Sequence, residues 1–147
     1  MEKSSRVVMV GLGYIGLPTA ALIAQNKIFV HGVDINPEVV ETINQGKIHI
    51  IEPELDIAVS QAVQQGFLKA SVRPDIADIY IIVVPTPFKG KNEPDTSFVE
   101  SATRTVIPLL KEGDLYIIES TSPIGTTERM ADLIYSEGIA HHEPQLG

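Results

Sequence analysis

Four short apolar runs punctuate the chain: RVVMV (6–10), IFVHGV (28–33), IYIIVV (79–84) and LYIIE (115–119). They are rich in Val and Ile and barely alternate with polar residues. Strands buried on both faces read this way, and parallel sheets bury both faces. KASV (69–72) predicts a weaker fifth strand. Between the runs, apolar positions recur at helical spacing. Residues 14–26 are predicted helical, with Ala20, Ala21 and Ala24 as small contacts and Pro18 near the first turn, where a missing N–H costs least. Asn36-Pro37-Glu38 reads as N-cap, first helical residue and dipole-favouring acid.

Leu55, Ala58, Val59, Ala62 and Val63 form one helical stripe, introduced by Glu52-Pro53-Glu54 and ended by Gly66. Ser97 and Glu100 make a capping-box pattern ahead of Val99, Ala102, Val106 and Leu109. Met130, Leu133 and Ile134 mark a last helix opening near Thr126–Thr127. Strand–helix–strand repetition predicts an α/β fold: a single-domain, Rossmann-like, doubly wound and mostly parallel sheet of order 3-2-1-4-5 with right-handed crossovers. The domain is expected over residues 1–138. Residues 139–147 lose the pattern and read as a frayed tail or an appended end. No repeat of 20–50 residues is present.

Composition narrows the function classes. A length of 147 residues suits one domain, and a 44% hydrophobic content supplies a core. No apolar run approaches a membrane span, and MEKSSR leads straight into a strand, so neither a membrane segment nor a signal peptide is expected. A net charge of -8 argues against nucleic acid or an anionic membrane as the main partner, because both demand a basic face. The absence of cysteine excludes disulfides, thiolate metal sites and a cysteine nucleophile, and a cytoplasmic setting is the expectation. His31 lies in a strand, His49 between elements, and His141 and His142 in the tail. None has metal-ligand spacing, and no metal is expected.

The candidate chemistry starts at GLGYIGLP. Gly11, Gly13 and Gly16 follow a strand and open a helix, and a second strand ends in HGVD with Asp34 at its tip. This is the context in which a G-x-G-x-x-G loop binds a dinucleotide. Gly11 permits the tight turn, Gly13 lets the backbone approach a pyrophosphate, and Gly16 lets the helix pack against the strand. The helix start offers free N–H groups and a positive dipole end to the diphosphate. Asp34 can accept from both hydroxyls of an adenosine ribose and would repel a 2′-phosphate. Ile35, Asn36 and Pro37 supply no compensating cation, so NAD is favoured over NADP. A plain helix cap is the structural alternative for Asp34. FAD and S-adenosylmethionine sites use similar loops, so glycines and acid alone leave the cofactor class open.

Two later loops fall where ligands of such sheets bind, beyond the carboxyl ends of the strands. In VVPTPFKGKNEPDTS, Pro85 and Pro87 stiffen Thr86, although composition alone reads as a Pro-rich turn. ESTSPIGTTE gathers Glu119, Ser120, Thr121, Ser122, Thr126 and Thr127, with Gly125 before a helix start. Helix capping by Thr126 or Thr127 is the simpler reading there.

Taken together, GLGYIGLPTA, GVDINPEVVETINQGKIHIIEPEL, GFLKAS, VPTPFKGKNEPD and ESTSPIGTTE resemble the UDP-glucose/GDP-mannose dehydrogenase family and cover almost all of residues 5–135 in its order. IHIIEP, VPTPFK…EPD and ESTSPIGTTE look most like the branch acting on UDP-N-acetyl-D-mannosamine. The resemblance implies a two-step oxidation in polysaccharide precursor biosynthesis, in which two NAD are reduced and a sugar C6 alcohol becomes a carboxylate through a thioester-level intermediate. It also implies that Tyr14 and Ile15 meet the dinucleotide phosphates, that Asp34 takes the adenine ribose, that Thr86 and Thr127 line the cofactor site, and that Glu119 lies near the nicotinamide. The family's lysine acid/base, cysteine nucleophile, central helices and UDP-sugar domain lie beyond the dinucleotide domain. No catalytic residue is therefore expected within this chain. A thiolate is needed to trap the aldehyde before the second hydride transfer, so the chain alone is expected to bind NAD and remain inactive, as a natural truncation or an excised domain. The alternative is a non-catalytic NAD-binding or interaction module. A β-hydroxyacid-type dehydrogenase fits the VPTP and ESTSP loops less well. Loss of covering helices makes a homo-oligomer plausible through an exposed apolar patch.

Overall fold

The apolar runs pair as the pattern requires. In a computed structural model, which describes residues 5–137, the strands β1 (Arg6–Val10), β2 (Phe29–Val33), β3 (Leu68–Ser71), β4 (Ile79–Ile82) and β7 (Leu115–Ile118) form one sheet of order β3-β2-β1-β4-β7. Every pairing in it is parallel. Counted as sheet strands, this is the 3-2-1-4-5 order expected. The predicted tail from residue 139, with His141 and His142, lies outside the described residues.

Among the described residues α1 (Gly16–Gln25) joins β1 to β2, α2 (Pro37–Asn44) and α3 (Leu55–Gln64) lie between β2 and β3, α4 (Ser97–Val106) with a short 3-10 turn at Ile107–Leu109 precedes β7, and α5 (Thr126–Glu137) follows it. The period-2 alternation of strand side chains divides the core in two. Val7, Met9, Val30, Leu68 and Ile81 face Leu17, Ala20 and Ala24 of α1, Ile43 of α2 and Val59 of α3. Val8, Val10, Val33, Tyr80 and Ile82 face Val99, Ala102 and Val106 of α4 and Met130 of α5. In the second layer the Tyr116 hydroxyl bonds to the fully buried Thr103, and burial pushes its pKa up to about 12.

Three expectations need correcting. First, β7 is not buried on both faces. Tyr116 and Ile118 pack into the second core, whereas Leu115 is 51% and Ile117 37% exposed. The α1–α3 layer sits over β1, β2 and β3 and stops short of β7. Second, Ser97 and Glu100 do not form a capping box. Ser97 is the first helical residue, its N–H donates to Asp95 Oδ1 (2.9 Å), and Glu100 pairs with Arg104 (3.1 Å). Thr96 holds the cap position, and the Glu100 N–H that a box would satisfy donates to Thr96 O (3.0 Å). The same Ser97 N–H, aided by its hydroxyl, holds the Asp95 carboxyl below its usual range. Third, the stretch after β4 is more than a Pro-rich turn. It carries a small antiparallel hairpin, β5 (Phe88–Lys89) and β6 (Glu93–Pro94), that turns through Gly90 and Asn92 at positive φ.

His31 is half-buried with Nε2 2.5 Å from Ser71 Oγ on the neighbouring strand, and burial, then Lys69, lowers its pKa. Asn36 caps α2 as read from sequence, accepting from Glu38 N–H at 3.0 Å. At the far end of α2, Asn44 closes the outer edge of the sheet. Its Nδ2 donates to Ala70 O (2.9 Å) and its Oδ1 accepts from Ala70 N–H (2.8 Å). One side-chain amide thus replaces a missing neighbour for β3. Ala70 is buried, so removal strands both of its backbone groups. Asn44→Ala is expected to cost about 1–3 kcal/mol, read as a lower urea midpoint at unchanged slope.

Candidate functional site

The first crossover is built from backbone packed on backbone. Gly11 leaves β1 still bonded to β2 through its N–H to Val33 O (2.8 Å) and takes φ +107. A Cβ there would stand 2.1 Å from Val83 O. A Cβ on Gly16 would stand 1.9 Å from Gly11 O, while Val83 Cβ is at an ordinary 3.7 Å. The third glycine therefore makes room for the first glycine's carbonyl, and the start of α1 packs directly on the end of β1. Gly13 differs from both. Its φ is not in the left-handed region, and nothing lies within 4 Å of a Cβ built on it. The protein itself gives no reason for a glycine there. The missing side chain leaves an open cradle on the outer side of the loop, as close approach of a pyrophosphate requires.

The helix that follows is electrostatically bare at its start. Ile15 occupies the N-cap of α1 without a side-chain bond, and the first turn holds no acid. The other four α-helices each carry one: Glu38, Asp56, Glu100 and Glu128. The α1 terminus keeps an uncompensated positive end suited to an anion. Tyr14 and Ile15 beside it are 68% and 55% exposed.

Asp34 is tied to this loop. Its Oδ2 accepts from Leu12 N–H (3.2 Å) and its Oδ1 from Asn36 N–H (3.0 Å). Asn36, not Asp34, caps α2, so the simple helix-cap reading of the acid fails. A carboxylate oxygen can take two hydrogen bonds, so each keeps room for a ribose hydroxyl. No basic residue follows before α2, only Ile35 and Asn36.

The later loops continue the same edge. Val83 N–H donates to Val10 O (2.8 Å), after which the chain passes Thr86, half-buried between its prolines. Glu119 and Ser120 both donate their N–H to Ile82 O (2.8 and 3.2 Å), setting the β7 loop against β4. Asp34, the glycine loop, Thr86 and Glu119 thus follow the ends of β2, β1, β4 and β7 in spatial order, across three interstrand steps or roughly 14 Å. Thr126 and Thr127 separate in role. Thr126 is buried and donates to Pro123 O (2.8 Å), anchoring the start of α5, whereas Thr127 is exposed. No hydrogen bond among the described residues uses the side chain of Thr86, Glu119 or Thr127.

Two surface depressions, of about 450 and 340 Å³, share no residue with this edge. An extended dinucleotide lies along an edge rather than filling a closed cavity. No group of three or more metal-ligating side chains occurs among the described residues, and no helix among them is long and apolar enough to cross a membrane. One contributor was invisible as a motif: Gly32, whose Cβ would meet Leu12 side-chain atoms at 2.9 Å, leaves the space that seats the glycine loop over β2.

Residues 5–145 match the NAD-binding domain of the UDP-glucose/GDP-mannose dehydrogenase family. The chain is 58% identical over 140 residues to the UDP-N-acetyl-D-mannosamine dehydrogenase of Yersinia pestis, a match covering 95% of this chain and 32% of the relative. It is 52% identical over 131 residues to an NDP-N-acetyl-D-galactosaminuronic acid dehydrogenase of Ralstonia nicotianae, covering 89% and 31%. The solved structure of the UDP-N-acetyl-mannosamine dehydrogenase of Staphylococcus aureus is similar with a TM-score of 0.86 at 37% identity, over 90% of this chain and 33% of that one. The chain spans about a third of the length of the curated relatives it matches.

The two kinds of glycine separate in experiment. Gly13→Val is expected to leave the melting temperature unchanged and to abolish NAD binding in calorimetry, whereas Gly16→Ala is expected to destabilise by about 1–3 kcal/mol through overpacking. Asp34→Ala should weaken NAD roughly 10- to 100-fold, the range of charge-assisted hydrogen bonds, and should narrow the preference for NAD over NADP. Equal titration of both dinucleotides by the unmodified chain would contradict the role given to Asp34.

Proposed function

Because the chain belongs to the UDP-glucose/GDP-mannose dehydrogenase family and is an NAD-binding domain of that family, we propose that it holds the NAD used to oxidise the C6 alcohol of a UDP-sugar to a carboxylate. UDP-N-acetyl-D-mannosamine is the proposed substrate, supported by the relatives at 54–58% identity that carry that name. When bound, NAD supplies the hydride acceptor, two molecules being consumed in turn.

The observation that carries this reading is the open cradle at Gly13 beside a carboxylate locked to the same loop. Backbone N–H groups of the loop and of the α1 start, with Tyr14 and Ile15 flanking them, hold the diphosphate. Asp34 holds the adenine ribose. Thr86 and Thr127 line the cofactor, and Glu119 stands toward the nicotinamide. The covalent chemistry is assigned outside this chain, which has no thiol to act as nucleophile. The cytoplasm is the proposed setting. A homo-oligomer is included in the proposal on the strength of the apolar side chains that β7 leaves uncovered.

The second reading, a non-catalytic NAD module, draws on the absent thiol and makes a different prediction. The chain alone is expected to bind NAD and to form no NADH from UDP-N-acetyl-D-mannosamine. A chimera in which it replaces the matching third of the Yersinia pestis relative is expected to form NADH from that sugar nucleotide. A folded chimera that binds NAD but stays inert would favour the non-catalytic module.

A further inference from the structure

Thr86 must be held at a fixed height over the carboxyl edge, yet the segment carrying it has few means of anchoring itself. The β4–β7 ladder ends at the Ile82–Ile118 pair. Pro85 and Pro87 flank Thr86 and bring no N–H. Val83 is still tied to β1, so the free stretch begins at Val84. Both backbone groups of Val84 go to one side chain. Ser120 Oγ accepts from Val84 N–H at 2.9 Å and lies 2.8 Å from Val84 O, to which it donates. A hydroxyl has one proton to give, and the 2.8 Å partner is favoured over Ile82 O at 3.4 Å.

Ser120 is itself pinned. Its N–H donates to Ile82 O (3.2 Å), and its C=O accepts from Ser122 Oγ (3.0 Å). The residue therefore joins two loops, one bearing Thr86 two positions after Val84 and the other bearing Glu119 next to Ser120. It has no hydrogen bond to the glycine loop or to Asp34, which lie on β1 and β2.

We propose that Ser120 is a positioning residue for the nicotinamide half of the NAD site, setting Thr86 relative to Glu119 by replacing the missing strand pairing at Val84. This rests on the NAD reading above. It acts through Val84, and its signature is a ligand-specific loss. NAD and ADP share the adenosine diphosphate recognised by the glycine loop and Asp34, while only NAD reaches the loops that Ser120 joins.

Calorimetric titration of the full chain with NAD and with ADP tests this. Ser120→Ala is expected to weaken NAD about tenfold, the scale of one to two hydrogen bonds, with ADP affinity changed less than twofold. Ser120→Thr, which keeps the hydroxyl, is expected to restore NAD affinity. Should Ser120→Ala fail to fold, Ser120→Cys is read in its place, its thiol being a weaker donor and acceptor. Equal weakening of both ligands, or unchanged NAD affinity in a folded variant, would overturn the positioning role. Failure of the unmodified chain to bind either ligand would overturn the NAD reading and this role with it, and ADP binding without NAD binding would overturn this role while leaving the adenosine half of that reading standing.

Discussion

The site depends on a close contact between two stretches of main chain. Gly11 carbonyl and Gly16 Cα meet at a separation that admits no side chain, while Gly11 itself presses against Val83 O at the end of β4. This contact brings the start of α1 down onto the sheet, sets the direction of the helix, and joins the ends of β1 and β4. Leu12, the residue between, is fully buried against Gly32, and its N–H reaches the Asp34 carboxylate. Any Cβ in this contact separates the loop from the strand ends and disturbs the geometry that ties the loop to Asp34.

A protein of net charge -8 binds an anionic ligand by local arrangement rather than by overall field. Acids are placed at the starts of four α-helices and left out of α1. Asp34, which bonds to the loop, has each oxygen engaged by a backbone N–H. Those donors fix the direction of its carboxylate beside the glycine loop. Excess negative charge elsewhere sits in water, where the Debye length of about 8 Å limits its reach.

Much of this was legible in the chain itself. The four Val/Ile runs located β1, β2, β4 and β7, because strands of a parallel sheet are largely apolar, and the weaker KASV segment marked β3 to within a residue. Gly11, Gly16 and Asp34 stood out because each answers a local steric or hydrogen-bonding demand at fixed spacing, and Gly13 stood out by its place in the same loop although no neighbour requires it. What escaped depended on contacts distant in sequence. The exposure of Leu115 and Ile117 follows from where the α1–α3 layer ends, which no feature of LYIIE records. The expected Ser97–Glu100 box failed because the helix begins one residue earlier than the motif implies, with Thr96 at the cap and Ser97 already inside. Gly32 and Asn44 serve partners 20 and 26 positions away in the chain, and Ser120 a partner 36 away, so none had a local pattern to reveal its purpose.

Asn44 has a consequence for how this sheet can grow. Its amide occupies both outward-facing backbone groups of Ala70, so the β3 margin offers no template at that residue to an incoming chain. At the opposite margin, nothing among the described residues pairs with the outer side of β7. Lengthening by main-chain pairing is thereby polarised: one border is sealed by a side chain, and any added strand docks beside Leu115–Ile118.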